Sequence, residues 1–197
     1  MVSDRQNIAA GTQQPEKFDV IIVGAGISGI GSATLLRKHC PDLSFAILEA
    51  LEGHGGTWLI HKYPGTRSDS DLFTFGYGFK PWTGQPIASR DQILDYLGDA
   101  IADAGLGPFI RYGHSVTSAN WSNETASWQL TVERKGADDV VQMEASFLWM
   151  CQGYYRHEKG YTPQWPGMDR FKGQIIHPQH WPEGLDLAGK NVTVIGS

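Results

Sequence analysis

Gly24-Ala25-Gly26-Ile27-Ser28-Gly29 stands between an apolar run, Phe18–Val23, and a helical pattern, Ile27–His39. No other feature narrows the fold as much. A buried strand that enters a G-x-G-x-x-G turn and leaves it as a helix forms the first half of a β-α-β unit. Ile30, Ala33 and Leu36 share the inward face of that helix, and Pro41 ends it. Ser44–Leu48 supplies the second strand, and Glu49 follows at its end, the acid expected some 20 residues after the turn.

The glycines have separable roles. Gly24 permits the tight turn, Gly26 lets a diphosphate reach the backbone, and Gly29 lets the helix pack closely on the strand. The start of the helix offers unpaired N–H groups and a favourable dipole to phosphates. Glu49 can accept hydrogen bonds from ribose hydroxyls. FAD and NAD both use this motif, so the turn alone does not choose between them. A glycine-rich turn without a ligand is the structural alternative.

The remaining pattern extends the α/β reading. Residues 51–88 look irregular and rich in aromatics, and a loop so long is usually functional. A helix is predicted over Asp91–Ala104, with Ser89 and Gln92 as a capping box and Gly105 behind it. Its apolar face carries Ile93, Tyr96, Leu97, Ala100, Ile101 and Ala104. Over residues 116–147 the period becomes two, with turn residues at Asn123 and Gly136–Asp139, which predicts a three-stranded antiparallel β-meander. Phe147–Cys151 returns to the sheet. The expected fold class is α/β, a Rossmann-like parallel sheet with this meander inserted. Residues 1–17 read as a disordered leader, 18–153 as the dinucleotide-binding domain, and 154–190 as a linker. Residues 191–197 open with a fresh apolar strand, Asn191–Ile195.

Composition removes other classes. A net charge of −5 without a clustered Lys/Arg face argues against nucleic acid as a partner. No apolar stretch nears the roughly 20 residues of a spanning helix, which argues against integral membrane association. Cys40 and Cys151 lack a metal or redox spacing, and His54, His61 and His180 share no ligand pattern, so no metal site is expected. A reducing, cytoplasmic setting is the expectation.

Two further segments carry a resemblance. Gly55-Gly56-Thr57-Trp58 and Tyr63-Pro64-Gly65-Thr66-Arg67-Ser68-Asp69 resemble the flavin-proximal loop of Baeyer–Villiger and related flavin-containing monooxygenases. Phe171-x-Gly173-x-x-x-His177-x-x-x-Trp181-Pro182 matches the fingerprint of the type I Baeyer–Villiger enzymes. The stretch Tyr63–Gly84 looks closest to the ethionamide-activating monooxygenase group. The likeness runs from about Phe18 to the last residue.

The resemblance implies FAD in the first fold half and NADPH in a second Rossmann domain, of which residues 191–197 would be the start. Ser28 and Glu49 would contact the FAD diphosphate and ribose, and Val116 would touch the adenine through its backbone. Thr57, Trp58, Leu59 and Ile60 would line the flavin, while Arg67, Ser68 and Asp69 would border the nicotinamide. Asp69 would also reach the flavin and carry the catalytic charge, beside an arginine from later in such chains. The implied reaction is NADPH-driven reduction of FAD, capture of O2 as a C4a-peroxyflavin, and oxygenation of a small-molecule ketone or sulfur-containing substrate. Cys151-Gln152-Gly153 stands where the family commonly has A-T-G, a departure. The chain reads as an N-terminal fragment. Its rivals are a non-catalytic flavin-binding module or inactive truncated product, and a disulfide reductase relative that lacks the needed cysteine pair. Trp58 and Tyr63 have an alternative as core aromatics, Asp69 as a loop cap, and His177 as a support for the linker.

Overall fold

The computed structural model describes residues 14–137, 139–157 and 159–196. Strand β1 (Glu16–Val23) leads through the glycine turn into helix α1 (Ile27–His39) and then strand β2 (Phe45–Leu48). Two single-turn helices, α2 (Thr57–Ile60) and α3 (Leu72–Phe75), punctuate the stretch expected to be irregular. Helix α4 (Arg90–Asp103) and the short strand β3 (Ile110–Arg111) follow. Strands β4 (His114–Ser122), β5 (Ser127–Arg134) and β6 (Val140–Met150) complete the sheet.

Among the described residues the six strands form one sheet in the order β3-β2-β1-β6-β5-β4. β3, β2, β1 and β6 run parallel, and β5 and β4 extend the sheet antiparallel. The expected Rossmann-like sheet and meander are both present, joined more closely than expected. β6 is the third meander strand and the returning parallel strand at once. Its first part, Val140–Ala145, pairs with β5, while Met143–Met150 pairs with β1.

Alternation along β1 and β2 divides the core. Val20, Ile22, Phe45 and Ile47 face α1 and α4, together with Ile30, Ala33, Leu36, Ile93, Leu97 and Ala100. Ile21, Ala46 and Leu48 face the other way and are covered by Leu130, Val132, Met143 and Ala145 of the meander. One face of the parallel sheet thus packs on helices and the other on β-structure. The predicted capping box holds α4: Ser89 Oγ accepts from Gln92 N–H, and Gln92 Oε1 accepts from Ser89 N–H at 2.9 Å.

Two expectations need correction. β1 begins at Glu16, so Glu16 and Lys17 belong to the sheet rather than to a leader; residues 1–13 of that leader lie outside the described residues. Cross-strand charge explains the earlier start, since Glu16 pairs with Arg111 and Lys17 with Glu144. Asn191–Ile195 forms no strand. Among the described residues no neighbouring strand is at hand to accept its ladder, and Val194 and Ile195 stay exposed.

The Glu16 carboxyl sits below its ordinary value of 4.5, chiefly through the hydrogen bond from Arg111. A depressed carboxyl stabilises the fold above the unfolded pKa and loses that contribution as pH falls through the folded value. Arg111→Met keeps an apolar stem against Phe18, over whose ring the guanidinium lies. With Glu16 46% exposed, we expect the substitution to cost less than about 1 kcal/mol at neutral pH. Urea melts should show that difference fading below about pH 4.

Candidate functional site

Three parallel strands end side by side, and each delivers one part of the candidate site: Gly24 after β1, Glu49 after β2 and Cys151 after β6. Gly24 N–H donates to Leu48 O at 2.7 Å, and Cys151 N–H donates to Val23 O at 2.8 Å. β2 and β6 flank β1 on opposite sides, so the crevice lies at a topological switch point, where open α/β sheets bind ligands.

The three motif glycines are required for different reasons. Gly24 has φ +104°, and a Cβ there would lie 2.6 Å from Cys151 O. A Cβ on Gly29 would lie 1.8 Å from Gly24 O, so helix and turn touch backbone to backbone. Gly26 is different. Its φ of −80° suits any residue, and a Cβ would meet nothing nearer than Gly56 Cα at 4.0 Å. The space above Gly26 is therefore open. It adjoins the N-terminus of α1, which no side chain caps, and Ser28 is exposed in the first turn.

Glu49 is buried, and its carboxylate grips the turn. Oε2 accepts from Ala25 N–H at 2.7 Å and Oε1 from Leu51 N–H at 2.9 Å. A carboxylate has about four acceptor positions, so lone pairs remain for hydroxyl donors. Glu49 O in turn accepts from His114 N–H at 2.8 Å, which seats β4 beside the acid. Val116 follows two residues later, half-buried, where a β-bulge between Val116 and Ser118 interrupts the ladder. The nearby Tyr112 phenol is pushed up by burial and then by the Glu49 charge.

The second glycine pair docks on the first. Gly55 N–H donates to Ala25 O at 2.9 Å, and a Cβ on Gly56 would lie 3.6 Å from Gly26 Cα. This contact brings α2, with Thr57, Trp58, Leu59 and Ile60, to the rim of the open space above Gly26. All four are half-buried. Trp58 also meets Phe75 edge-on at 6.4 Å and packs on the helical core, so it has the core role too.

Arg67, Ser68 and Asp69 separate in the structure. Ser68 is buried, and its hydroxyl accepts from Ala88 N–H at 3.1 Å while its own N–H donates to Ala88 O. Arg67 bridges Ser89 on the same short ladder but keeps its side chain exposed. Asp69 is exposed, and the local cap is Asp71, which accepts from Thr74 N–H at 2.9 Å.

Sequence reading missed Tyr77 and His157, and it saw Tyr96 only as part of the apolar face of α4. Tyr77 donates to Ile27 O at 2.6 Å, pinning the aromatic loop to the first turn of α1, and Tyr96 accepts from Tyr77 N–H. The only signal for them was the crowd of aromatics after Phe73. Burial pushes the Tyr77 phenol up. His157 is lowered by burial first and by His61 next, with Glu49 opposing. Tyr155 is raised, first through Tyr154 and further by Asp69 and Tyr63, and its ring meets His61 edge-on at 6.4 Å. His177 has the supporting role: its Nδ1 accepts from Gln179 N–H at 3.2 Å within a 3-10 turn. Cys151 Sγ lies 3.8 Å from Ser32 Oγ, and burial raises the thiol; Gln152 is exposed. No group of His, Cys, Asp and Glu among the described residues is arranged to hold a metal ion. No described helix is long and apolar enough to cross a membrane.

Comparison with known proteins places this geometry. The flavin-binding monooxygenase-like family matches residues 86–197, and an NAD(P)-binding Rossmann-like domain matches residues 22–97. FAD-containing monooxygenase EthA of Mycolicibacterium smegmatis is 52% identical over 183 residues, which is 92% of this chain and 37% of that protein. Probable FAD-binding monooxygenase AlmA of an Acinetobacter species is 48% identical with the same coverage. Among solved structures, an oxidized steroid monooxygenase bound to NADP superposes with a TM-score of 0.73 at 32% identity, covering 88% of this chain and 33% of that one. An ε-caprolactone-bound cyclohexanone monooxygenase gives 0.77 at 30% identity, covering 92% and 35%. The chain spans about 37% of the length of the curated relatives it matches.

Gly29→Ala and Gly26→Ala should part company in a thermal melt. The first drives a methyl into Gly24 O and is expected to cost more than about 3 kcal/mol or prevent folding. The second enters open space and is expected to stay within about 1 kcal/mol of wild type.

Proposed function

The chain belongs to the flavin-binding monooxygenase-like family, and from that premise we propose that residues 18–153 form the FAD-binding part of an FAD- and NADPH-dependent monooxygenase. The observation that carries the reading is the open space over Gly26, walled by two glycine turns and flanked by the Glu49 carboxylate. A diphosphate fits there: bare backbone admits it, and the uncapped start of α1 offers N–H donors.

Residue roles follow from placement. Gly24, Gly26, Ser28 and Gly29 hold the diphosphate, and Glu49 accepts from the ribose with the lone pairs its two amide bonds leave. The Val116 bulge, two residues beyond the link to Glu49, frees backbone groups for the adenine. Thr57–Ile60 line the flavin edge. Arg67 and Asp69 present exposed charges toward the nicotinamide side, while Ser68 sets the backbone that carries them. Asp69 is the catalytic residue of the reading, a negative charge beside the ring system.

When bound and reduced by NADPH, the flavin supplies activated oxygen for insertion beside a ketone carbonyl or transfer to sulfur. The protein's own contribution is to orient the cofactor, exclude water and keep the Asp69 charge in place. Steroid and cyclohexanone monooxygenases among the superposed structures support a small-molecule substrate with O2 as co-substrate. A flavin-binding role without turnover is the second reading for residues 1–197 alone, favoured by the single glycine-turn-to-long-helix unit among the described residues.

Purified residues 1–197 are expected to take up FAD, seen as retained yellow absorbance after gel filtration, with no NADPH oxidation above background. Gly26→Ala should fold yet lose at least tenfold in FAD affinity, because its methyl fills the diphosphate space. Wild-type protein that retains no FAD, or a Gly26→Ala protein that binds it normally, would refute the assignment.

A further inference from the structure

Beyond Cys151 the chain places two large side chains in solvent next to the candidate site. Tyr154 is 87% exposed and Tyr155 55%, yet their rings lie against each other at 4.5 Å with a 39° tilt. Tyr155 meets His61 edge-on at 6.4 Å, and His61 meets Tyr63 edge-on at 6.2 Å. His61 closes α2, and its Nδ1 lies 3.0 Å from Thr57 O, so this aromatic chain is anchored to the element at the rim of the crevice. An exposed pair of rings at that rim offers an aromatic face to a second ring system.

The pair sits on a strap with identifiable fastenings. Gln179 Nε2 donates to Arg156 O at 3.0 Å and also to His157 O. A Cβ on Gly160 would lie 2.2 Å from His177 Cε1, so the imidazole rests on bare backbone. The 3-10 turn Pro178–His180, inside the Phe171–Pro182 fingerprint, and His177 before it therefore hold Arg156, His157 and Gly160, just after Tyr154 and Tyr155.

We propose that the Tyr154–Tyr155 pair is the stacking platform for the isoalloxazine end of FAD, and that Gln179 is the positioning residue that holds it there. This rests on the FAD reading above and adds a ring-binding element beside the end of α2. The platform discriminates the flavin end from the adenine end. It contributes to FAD binding and not to ADP binding, since ADP ends at the diphosphate held by the glycine turn.

The test compares wild type, Tyr155→Leu, Tyr155→Phe and Gln179→Leu in residues 1–197, titrated with FAD and separately with ADP. Stacking on tyrosine quenches flavin emission. In wild type the bound flavin is expected to be strongly quenched. In Tyr155→Leu its emission should rise at least fivefold and the ratio of FAD to ADP affinity should fall about tenfold, the scale of one ring stacked on an aromatic side chain. Tyr155→Phe should match wild type in the ratio of FAD to ADP affinity, because the ring remains. Gln179→Leu should recover emission with ADP affinity unchanged, and retained ADP binding shows that each variant is folded. An unchanged affinity ratio and unchanged quench in Tyr155→Leu would overturn the platform while leaving the FAD assignment intact. Quenching unaffected in Gln179→Leu would remove its positioning role. Wild type that binds neither ligand would overturn the FAD reading, and the platform with it.

Discussion

The close approach of Gly29 to Gly24 O is the contact on which the rest depends. Because a Cβ at Gly29 would sit 1.8 Å from that oxygen, α1 can start directly against the end of β1. Only then does Ala25 N–H reach the Glu49 carboxylate, and only then does Ala25 O face outward to accept from Gly55. The turn is thus held from below by Glu49 and from above by the second glycine pair. A buried carboxylate with two amide donors is well satisfied, so the acid has a structural role in the turn beside the ribose contact proposed for it.

Much of this was legible because it is local. The G-x-G-x-x-G turn, the span of α1, the Ser89–Gln92 box and the alternation of β5 each follow from spacing within one segment, and the structure bears them out. Long-range pairing was less legible. β3 has two residues, too few for any pattern, and forms because Ile110 and Arg111 find the open side of β2. β6 was divided between meander and return because its periodicity changes where its partner changes from β5 to β1. Glu16 and Lys17 read as polar leader, and only partners 95 and 127 residues away turn them into strand.

The irregular segment between β2 and α4 shows a different limit. Its aromatic content signalled function, and the structure shows how far packing absorbs it. Trp58, Phe75, Tyr77 and Trp82 all lie against the helical core; the Tyr77 hydroxyl donates to Ile27 O of α1, while the Tyr96 hydroxyl accepts from Tyr77 N–H and donates to Lys80 O. Composition alone does not separate a ring that packs from a ring that binds. Burial separates them better, since Trp58, Phe75, Tyr77 and Trp82 are half-buried against the core while Tyr154 and Tyr155 are exposed. Ser68 and Asp69 divide in the same way. They are adjacent in sequence, yet Ser68 closes a ladder with Ala88 and Asp69 projects into solvent.

The fingerprint segment ties these observations together. His177 and Gln179 lie in a stretch with no long helix or strand, and nothing in the spacing alone says what they touch. In the folded chain they fasten the strap that follows Cys151, the residue that closes the glycine turn from the β6 side. One continuous backbone therefore runs from the turn, past the tyrosine pair, to the clamp. A change at the clamp has a mechanical route to the crevice through Arg156 and His157, with no need for a residue of the clamp to touch a ligand. This accounts for a histidine embedded in a family signature whose side chain rests against a glycine.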